Sequence, residues 1–340
     1  MSRLFKRWWM LVAALVAASA VVVASTTPAL AAEPGEGSSW SNEMVGNGGR
    51  LQSLDTYSEA RGENGLVQIW RGLDDHVWLA VNNGPVFAVG GGSNTTSTQV
   101  APRVVWMDGW FYAFHTGTDG HIYWSRASDG IIGSGTPSFS LGINWSNWTA
   151  ISGNPATTQS VSVAATDNGL LMTWIGVGQT TMYSAWLQAG SDVFNPTQVI
   201  TNANSNSAPV VTFNPATNLF YVAFRGLLDN QVYLTAQVLG QSTWSNPQAL
   251  PGITVPTSPT IAADFAGNML VAAISDDGNI WFQAINSAHQ TRGWSEESTH
   301  DTTDVALWIS IIGSVFYIIR TAVSSGFVQW KPAWDSDDGI

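Results

Sequence analysis

The apolar residues of this chain fall in paired bursts. A run rich in β-branched and aromatic residues is followed by a turn of Gly, Asp, Asn or Ser, and then by a second, shorter aromatic run. The pattern occurs six times, over residues 65–81, 109–127, 168–187, 217–238, 267–285 and 313–332. Each copy predicts a β-hairpin. Aligning the second runs places Trp78, Tyr123, Tyr183, Tyr233, Trp281 and Gln329 at one position, spaced by 45, 60, 50, 48 and 48 residues. A period near fifty is that of a four-stranded propeller blade, so the predicted fold is all-β, a six-bladed β-propeller of antiparallel blades. The longer interval contains a Gly- and Ser-rich stretch over 129–142, which reads as an inserted loop.

Two flanking patterns complete the blade. Segments such as 98–102, 206–211 and 257–262 are expected to form the innermost strand. The pairs Trp145-Ser146, Phe194-Asn195, Trp244-Ser245 and Trp294-Ser295 are expected to mark the outermost one. After the first hairpin there is only Val86-Phe87, so that blade reads as degenerate and a seventh, poorly matching blade is left open. Trp40-Ser41 precedes the first hairpin, whereas little chain follows the sixth. The Trp40 segment is therefore expected to close the ring by supplying the outer strand to a blade built from residues 303–334, a closure that removes an exposed sheet edge.

The first residues follow a different grammar. Arg3, Lys6 and Arg7 precede an apolar run from Trp8 to Ala24, and Ala29 and Ala31 fit the small positions before a cleavage site. This order predicts a secretory signal peptide over 1–32, with a retained membrane anchor as the competing reading. The domain plan is then a signal over 1–32, one propeller over 33–334 and an acidic tail over 335–340, in a secreted protein with no integral membrane domain after cleavage. There is no cysteine, so packing has to hold the fold without disulfides.

Composition narrows the partners. The formal charge is −12, and without the three basic residues of the signal it falls to −15; the rest of the chain has one lysine, Lys331, and eight scattered arginines. Nucleic acid and anionic lipid both need clustered cations, so neither is an expected partner. Only 11% of residues are charged, which leaves a neutral, polar surface suited to hydroxyl-rich ligands such as glycans.

The repeated aromatic position has two readings. One is packing between blades, and the other is stacking on the apolar face of a sugar, for which the further tryptophans, among them Trp70, Trp110, Trp148 and Trp330, supply additional rings. A second repeated position, six to nine residues earlier, holds Arg71, His115, Ile175, Arg225, Ser275 and Arg320. Three arginines at such sites suggest either a hydrogen-bonded link between blades or donors to a ligand's hydroxyls. Asp74, Asp119, Asp229 and Asp276 lie in hairpin turns, where Asp bonds its own backbone. Nothing in the spacing of His76, His115, His121, His289 and His300 or of the acidic residues builds a metal site, and no cofactor is implied. Asn94, Asn144 and Asn147 begin glycosylation sequons.

The hairpins with Arg71-Gly72-Leu73-Asp74, Asp119-Gly120-His121-Ile122-Tyr123 and Arg225-Gly226-Leu227-Leu228-Asp229, with their Trp-Ser sequels, resemble the six-bladed propeller lectins of bacteria and fungi, fucose-binding and tectonin-like members above all. The resemblance spans residues 40–334. It implies sugar binding between adjacent blades, without catalysis, by an arginine, a carboxylate or amide, and an aromatic platform. On this basis Arg71, Arg225 and Arg320 match the arginine, Trp78 and Tyr233 match the aromatic, and His115 completes the carbohydrate-binding set. The chain departs from the fucose-binding pattern in having no glutamate near each arginine.

Two other classes compete. Ser275-Asp276-Asp277-Gly278-Asn279-Ile280-Trp281 is similar to a shortened Asp box of sialidases, which would imply a glycoside hydrolase. Yet no glutamate occurs between Glu63 and Glu296, and the nearest Tyr-Glu pair, Tyr57 and Glu59, falls outside the repeated strands. The third class is a non-catalytic propeller that binds protein.

Overall fold

Six four-stranded antiparallel sheets follow one another along the chain in a computed structural model, which describes residues 41–42, 44–45, 49–50, 52–55, 57–82, 86–89, 97–132, 145–297, 307–321 and 328–338. The predicted signal peptide, Trp40, His300, the sequon residues Asn94 and Asn144 and most of the 129–142 insertion lie outside the described residues.

The blades run as follows, innermost strand first. Blade 1 is Ser58–Arg61, Leu66–Arg71, Val77–Val81 and Val86–Ala88. Blade 2 is Arg103–Met107, Trp110–Thr116, Ile122–Ser128 and Thr149–Ala150. Blade 3 is Ser162–Thr166, Gly169–Ile175, Thr181–Gln188 and Gln198–Asn204. Blade 4 is Val210–Asn214, Leu219–Arg225, Val232–Val238 and Gln248–Leu250. Blade 5 is Thr260–Ala263, Met269–Ile274, Ile280–Ile285 and Ser295–Glu296. Blade 6 takes Trp308–Ile312, Val315–Thr321 and Val328–Asp335 from the end of the chain and Ser41–Asn42 from its beginning, with Ser41 opposite Trp330 and Asn42 opposite Gln329. Blade 1 has its fourth strand at Val86–Ala88 although it lacks the Trp-Ser signature. The last strand reaches Asp335, so the predicted acidic tail begins inside the sheet.

The burial pattern explains why the second strands read as continuous apolar runs. Both faces of a blade are covered by its neighbours, so every residue of Gly169–Ile175 and of Met269–Ile274 is buried. Six hydrophobic clusters fill the six gaps. Val67, Leu79 and Phe111 pack between blades 1 and 2, Phe114 and Trp174 between 2 and 3, and Ile175 and Phe220 between 3 and 4. Leu234 and Val271 fill the gap between 4 and 5, Ile280 and Ile318 that between 5 and 6, and Tyr57, Trp70, Ile319 and Val328 that between 6 and 1. The last cluster closes the ring by side-chain packing.

The segments read as innermost strands are mainly lead-ins, since the strands begin later, at Arg103, Val210 and Thr260. The Trp-Ser pairs sit where the chain returns to the sheet. Trp145 and Trp244 are buried, and the following serine extends the ladder: Ser245 Oγ accepts from the Ala236 amide at 2.9 Å, as Ser146 Oγ does from Arg126 at 3.0 Å. Serine at that place therefore supplies an acceptor that the outer strand's backbone does not.

Candidate functional site

In blades 1 to 4 the loop between second and third strands meets the lead-in to the next blade: the amides of Thr98, Thr157, Ser205 and Val255 donate to the carbonyls of Asp75, Gly120, Thr180 and Asn230. In four hairpins a turn residue holds the aromatic four positions on. Asp74 accepts from Trp78 Nε1 at 2.9 Å, Asp119 and Asp229 accept from the Tyr123 and Tyr233 hydroxyls at 2.7 Å each, and Gln179 accepts from Tyr183 at 2.6 Å. Turn chemistry is thus only part of what these acids do. The bond from Tyr123 holds the Asp119 carboxyl below its ordinary pKa and pushes the Tyr123 hydroxyl up. The ring lies over the turn glycine, so a Cβ on Gly117 would stand 2.8 Å from Tyr123.

Sheet register corrects the alignment of the second repeated position. Tyr123 pairs with His115 and Gln329 with Arg320, whereas Trp78 pairs with Trp70, Tyr183 with Trp174 and Tyr233 with Phe224. Arg71, Ile175 and Arg225 come one residue later, level with Thr116 and Thr321, and Ser275 lies two beyond Ala273, the partner of Trp281. A one-residue step reverses the face of the sheet. His115 and Arg320 therefore face the preceding blade, while Arg71 and Arg225 face the following one. Hairpin loops of unequal length hid this offset in the sequence.

The level shared by Arg71, Thr116, Arg225 and Thr321 has a common task. Each side chain donates to a carbonyl in the lead-in of the next blade: Arg71 Nη1 to Gln99 at 2.7 Å, Thr116 to Gln159 at 2.9 Å, Arg225 Nη1 to Pro256 at 3.0 Å and Thr321 to Asp55 at 2.7 Å. The two arginines are anchored further by one scheme. Arg71 reaches Asp75 through Nε and Nη2, at 2.9 and 2.6 Å, and Asp55 through Nη1 at 3.0 Å. Arg225 reaches Asn230 through Nε and Nη2, at 3.0 and 2.5 Å, and Asn206 through Nη1 at 3.1 Å. Burial alone would lower the Arg71 pKa, but its bonds to Asp75 and Asp55 outweigh burial and raise it. Of five N–H groups, each guanidinium retains one on Nη2 outside these bonds. The spacing of Arg71 to Asp75 and of Arg225 to Asn230, four and five residues across the hairpin turn, is a sequence signal for this fork.

Arg71 and Trp78 consequently lie on opposite faces of one blade, as do Arg225 and Tyr233. Across the gap between blades 1 and 2, Arg71 shares its side with the Tyr123 and His115 face, and across the gap between 4 and 5, Arg225 shares its side with Trp281, whose indole N–H has no partner. Trp78 faces the side of Thr321, and Tyr233 that of Ile175. Arg320 is buried and its Nε and Nη2 bond Gln329 Oε1 at 3.2 and 3.1 Å. His115 is fully buried, stacked on Tyr123 at 5.4 Å and edge-on to Trp148 at 4.4 Å. Neither of its ring nitrogens has a well-aligned partner, and burial pushes its pKa down to about 4.

Two cavities accompany these groups. One of about 220 Å³ lies on the hairpin face between Gln99, the blade 2 turn at Gly117–Gly120, Thr157 and Val177. Its rim carries the Gln99 residue that Arg71 engages and the Asp119 that holds Tyr123. A larger one of about 920 Å³ is lined by inner strands of blades 1, 2, 5 and 6 around the ring axis and extends into the seam between blades 6 and 1, where Leu66, Gln68, Tyr317, Ile319 and Trp330 of the second and third strands line it. Tyr57 and Glu59, expected outside the repeated strands, stand here at the innermost strand of blade 1, with the Tyr57 hydroxyl donating to Glu59 Oε2 at 3.1 Å. Tyr57 is only 2% exposed, so its oxygen is not placed to attack a substrate. Among the described residues, no three His, Asp or Glu side chains converge as metal ligands.

No family model and no curated relative matches the chain. Among solved structures, it is similar to a point mutant of the Aleuria aurantia lectin in complex with α-methyl-L-fucoside, at 10% identity and a TM-score of 0.56, over 82% of this chain and 92% of that one. It is similar also to the SapL1 lectin in complex with α-methyl fucoside, at 12% identity and a TM-score of 0.57, over 83% and 97%. A Xanthomonas campestris gluconolactonase is matched at 14% identity and a TM-score of 0.52, over 90% and 98%. At such identities the likeness concerns architecture, and by that measure the chain has the fold of the six-bladed β-propeller lectins.

Proposed function

We propose that this chain is an exported carbohydrate-binding propeller that takes neutral glycans in clefts between blades, without catalysis. The observation that carries the reading is the sheet register, which sets an oriented arginine and an aromatic on facing sides of two gaps: Arg71 and Tyr123, and Arg225 and Trp281. The neighbouring acceptors fix the guanidinium plane and leave an N–H for a ligand hydroxyl, while a ring offers its face to the sugar's C–H bonds. The two lectins crystallised with fucosides make a fucoside the first probe.

In this reading Trp78 and Tyr233 serve clefts without an arginine, and Arg320 a cleft without an opposing aromatic. Avidity then comes from few sites of unequal strength. A glycan array with protein lacking residues 1–32 tests it: dose-dependent binding of neutral glycans supports the reading, and a blank array overturns it. Arg225→Ala should weaken binding partially and Arg71→Ala with Arg225→Ala more severely; unchanged avidity in the double variant removes the arginines from the site. Mass spectrometry of protein secreted by an expressing cell tests export, with a new N-terminus near Ala32 or Glu33 as the expected result.

A protein-binding face is the second reading. It is favoured by Leu73, Val177 and Leu228 at three hairpin tips of one face, of which Leu228 is 96% exposed.

A further inference from the structure

The axial cavity holds a carboxylate without a countercharge. Glu59 accepts from the Tyr57 hydroxyl through Oε2 and from Ser310 Oγ through Oε1. These two donors, one from each of blades 1 and 6, fix the carboxylate in place. They use two of its four lone-pair positions. Among the described residues no lysine or arginine nitrogen lies within ion-pair distance of it. Lys331, by contrast, is buried in an ion pair with Glu297.

The walls around Glu59 are aromatic. Trp106, Trp308, Trp330 and Tyr317 line the cavity and are each half-buried; Tyr317 and Trp330 meet edge to face at 5.4 Å, and the Arg103 guanidinium already lies over the Trp308 ring, 5.0 Å from its centroid. Ring faces carry negative charge density and attract cations within about 6 Å of the centroid. Arg61 and Glu63 also line the cavity, but both are exposed and of opposite sign, so Glu59 is the one half-buried charge among the lining residues.

The mouth is apolar. Phe265 is 95% exposed and Ile312 60% exposed, and both belong to the cavity lining. Phe265 is not a loose tip. Its loop is tied by Asp264, whose Oδ1 accepts from the Asn268 amide at 2.8 Å and whose Oδ2 accepts from Asn268 Nδ2 and Ser336 Oγ at 2.9 Å each. An ordered loop thus presents a phenyl ring at the entrance to an aromatic chamber.

We infer that the axial cavity is a binding site for an amphipathic organic cation: an ammonium group against Glu59 among the rings, and an apolar portion lying along Phe265 and Ile312. A volume of about 920 Å³ is ample for such a ligand. The ammonium satisfies the idle carboxylate lone pairs and gains from the ring faces, whereas a neutral ligand gains only the apolar contact and an anion is repelled. The cavity shares Tyr57, Trp308, Ile319 and Trp330 with the seam between blades 6 and 1 but contains none of Arg71, Tyr123, Arg225 and Trp281, so its test and that of the arginine clefts can fail separately.

Isothermal titration calorimetry on the whole chain, with 2-phenylethylammonium, 2-phenylethanol and 3-phenylpropionate as probes, tests the inference. The ammonium should bind saturably, the alcohol about tenfold or more weakly, and the carboxylate not at all. Glu59→Gln should weaken the ammonium to the level of the alcohol and leave the alcohol's affinity and the glycan array unchanged. Because Glu59 also bridges blades 1 and 6, the exposed Phe265→Ala serves as a second variant and should weaken the ammonium severalfold with an unchanged melting temperature. The inference is overturned by equal affinity for ammonium and alcohol, by a folded Glu59→Gln that retains ammonium affinity, by full affinity in Phe265→Ala, or by no ammonium binding into the millimolar range.

Discussion

His115 stands directly opposite Tyr123 in the sheet and stacks on it, with ring centroids 5.4 Å apart and planes inclined by 16°. The imidazole behaves there as an aromatic filler. It fills the place taken by Trp70, Trp174 and Phe224 in other blades, and its buried nitrogens have no well-aligned partner.

That placement makes stability depend on pH. The folded pKa, about 4, lies below the ordinary value of 6.5, so the unfolded chain binds the proton first. The contribution is fully present above pH 6.5 and is lost as pH falls toward 4, with a ceiling of about 3 kcal/mol. Urea denaturation of wild type and His115→Phe at pH 7, 5.5 and 4.5 checks this. The variant should be at least as stable as wild type at pH 7 and should lack the wild-type decline over that window.

Gly226→Ala should destabilise blade 4, because the new Cβ would lie 2.6 Å from the Tyr233 ring and 2.5 Å from Asp229 Oδ1. Displacing the ring breaks its bond to Asp229, and a loss of about 1–3 kcal/mol is expected. Thermal melting measures it, and Gly240→Ala is no steric control because its φ is +80°.

Lys331 and Glu297, 2% and 8% exposed, join blade 6 to the end of blade 5. Lys331→Met should cost about 3–5 kcal/mol by leaving a buried carboxylate without its cation. Adding Glu297→Gln should restore much of that loss. Equal denaturation midpoints for the single and double variants would show that the charge pair is not what matters.

Arg71→Lys keeps the charge but loses the planar fork that reaches Asp75, Asp55 and Gln99 together. It should loosen the seam between blades 1 and 2, read as faster amide exchange at Thr98, whose amide donates to the Asp75 carbonyl beside the residues that the arginine ties together. Thr116→Val, which removes the equivalent bond to Gln159, should act in the same direction on the seam between blades 2 and 3.

Glycan affinity should survive Trp78→Ala better than Trp281→Ala, provided the fold persists. Trp281 faces the arginine of the preceding blade, while Trp78 faces Thr321. Array binding by the two folded variants decides between them.

The sequence by itself determined the hairpins, their number and their period, because each hairpin is a local pattern of apolar runs, turn residues and aromatics repeated in every blade. It also marked Arg71, Arg225 and the aromatic anchors as noteworthy. Only the tertiary structure decided what faces what. The direction of a strand side chain reverses with every residue, and hairpin loops of different length conceal the register, so His115 and Arg320 looked equivalent to Arg71 and are not. Asp75 and Asn230 are local partners of Arg71 and Arg225, but the carbonyls of Gln99 and Pro256 lie 28 and 31 residues away in the lead-in to the next blade, where no local pattern names them. Tyr57 and Glu59 likewise looked peripheral until ring closure set them beside Ser310, a contact that spans nearly the whole chain and exists only because the first blade packs against the last.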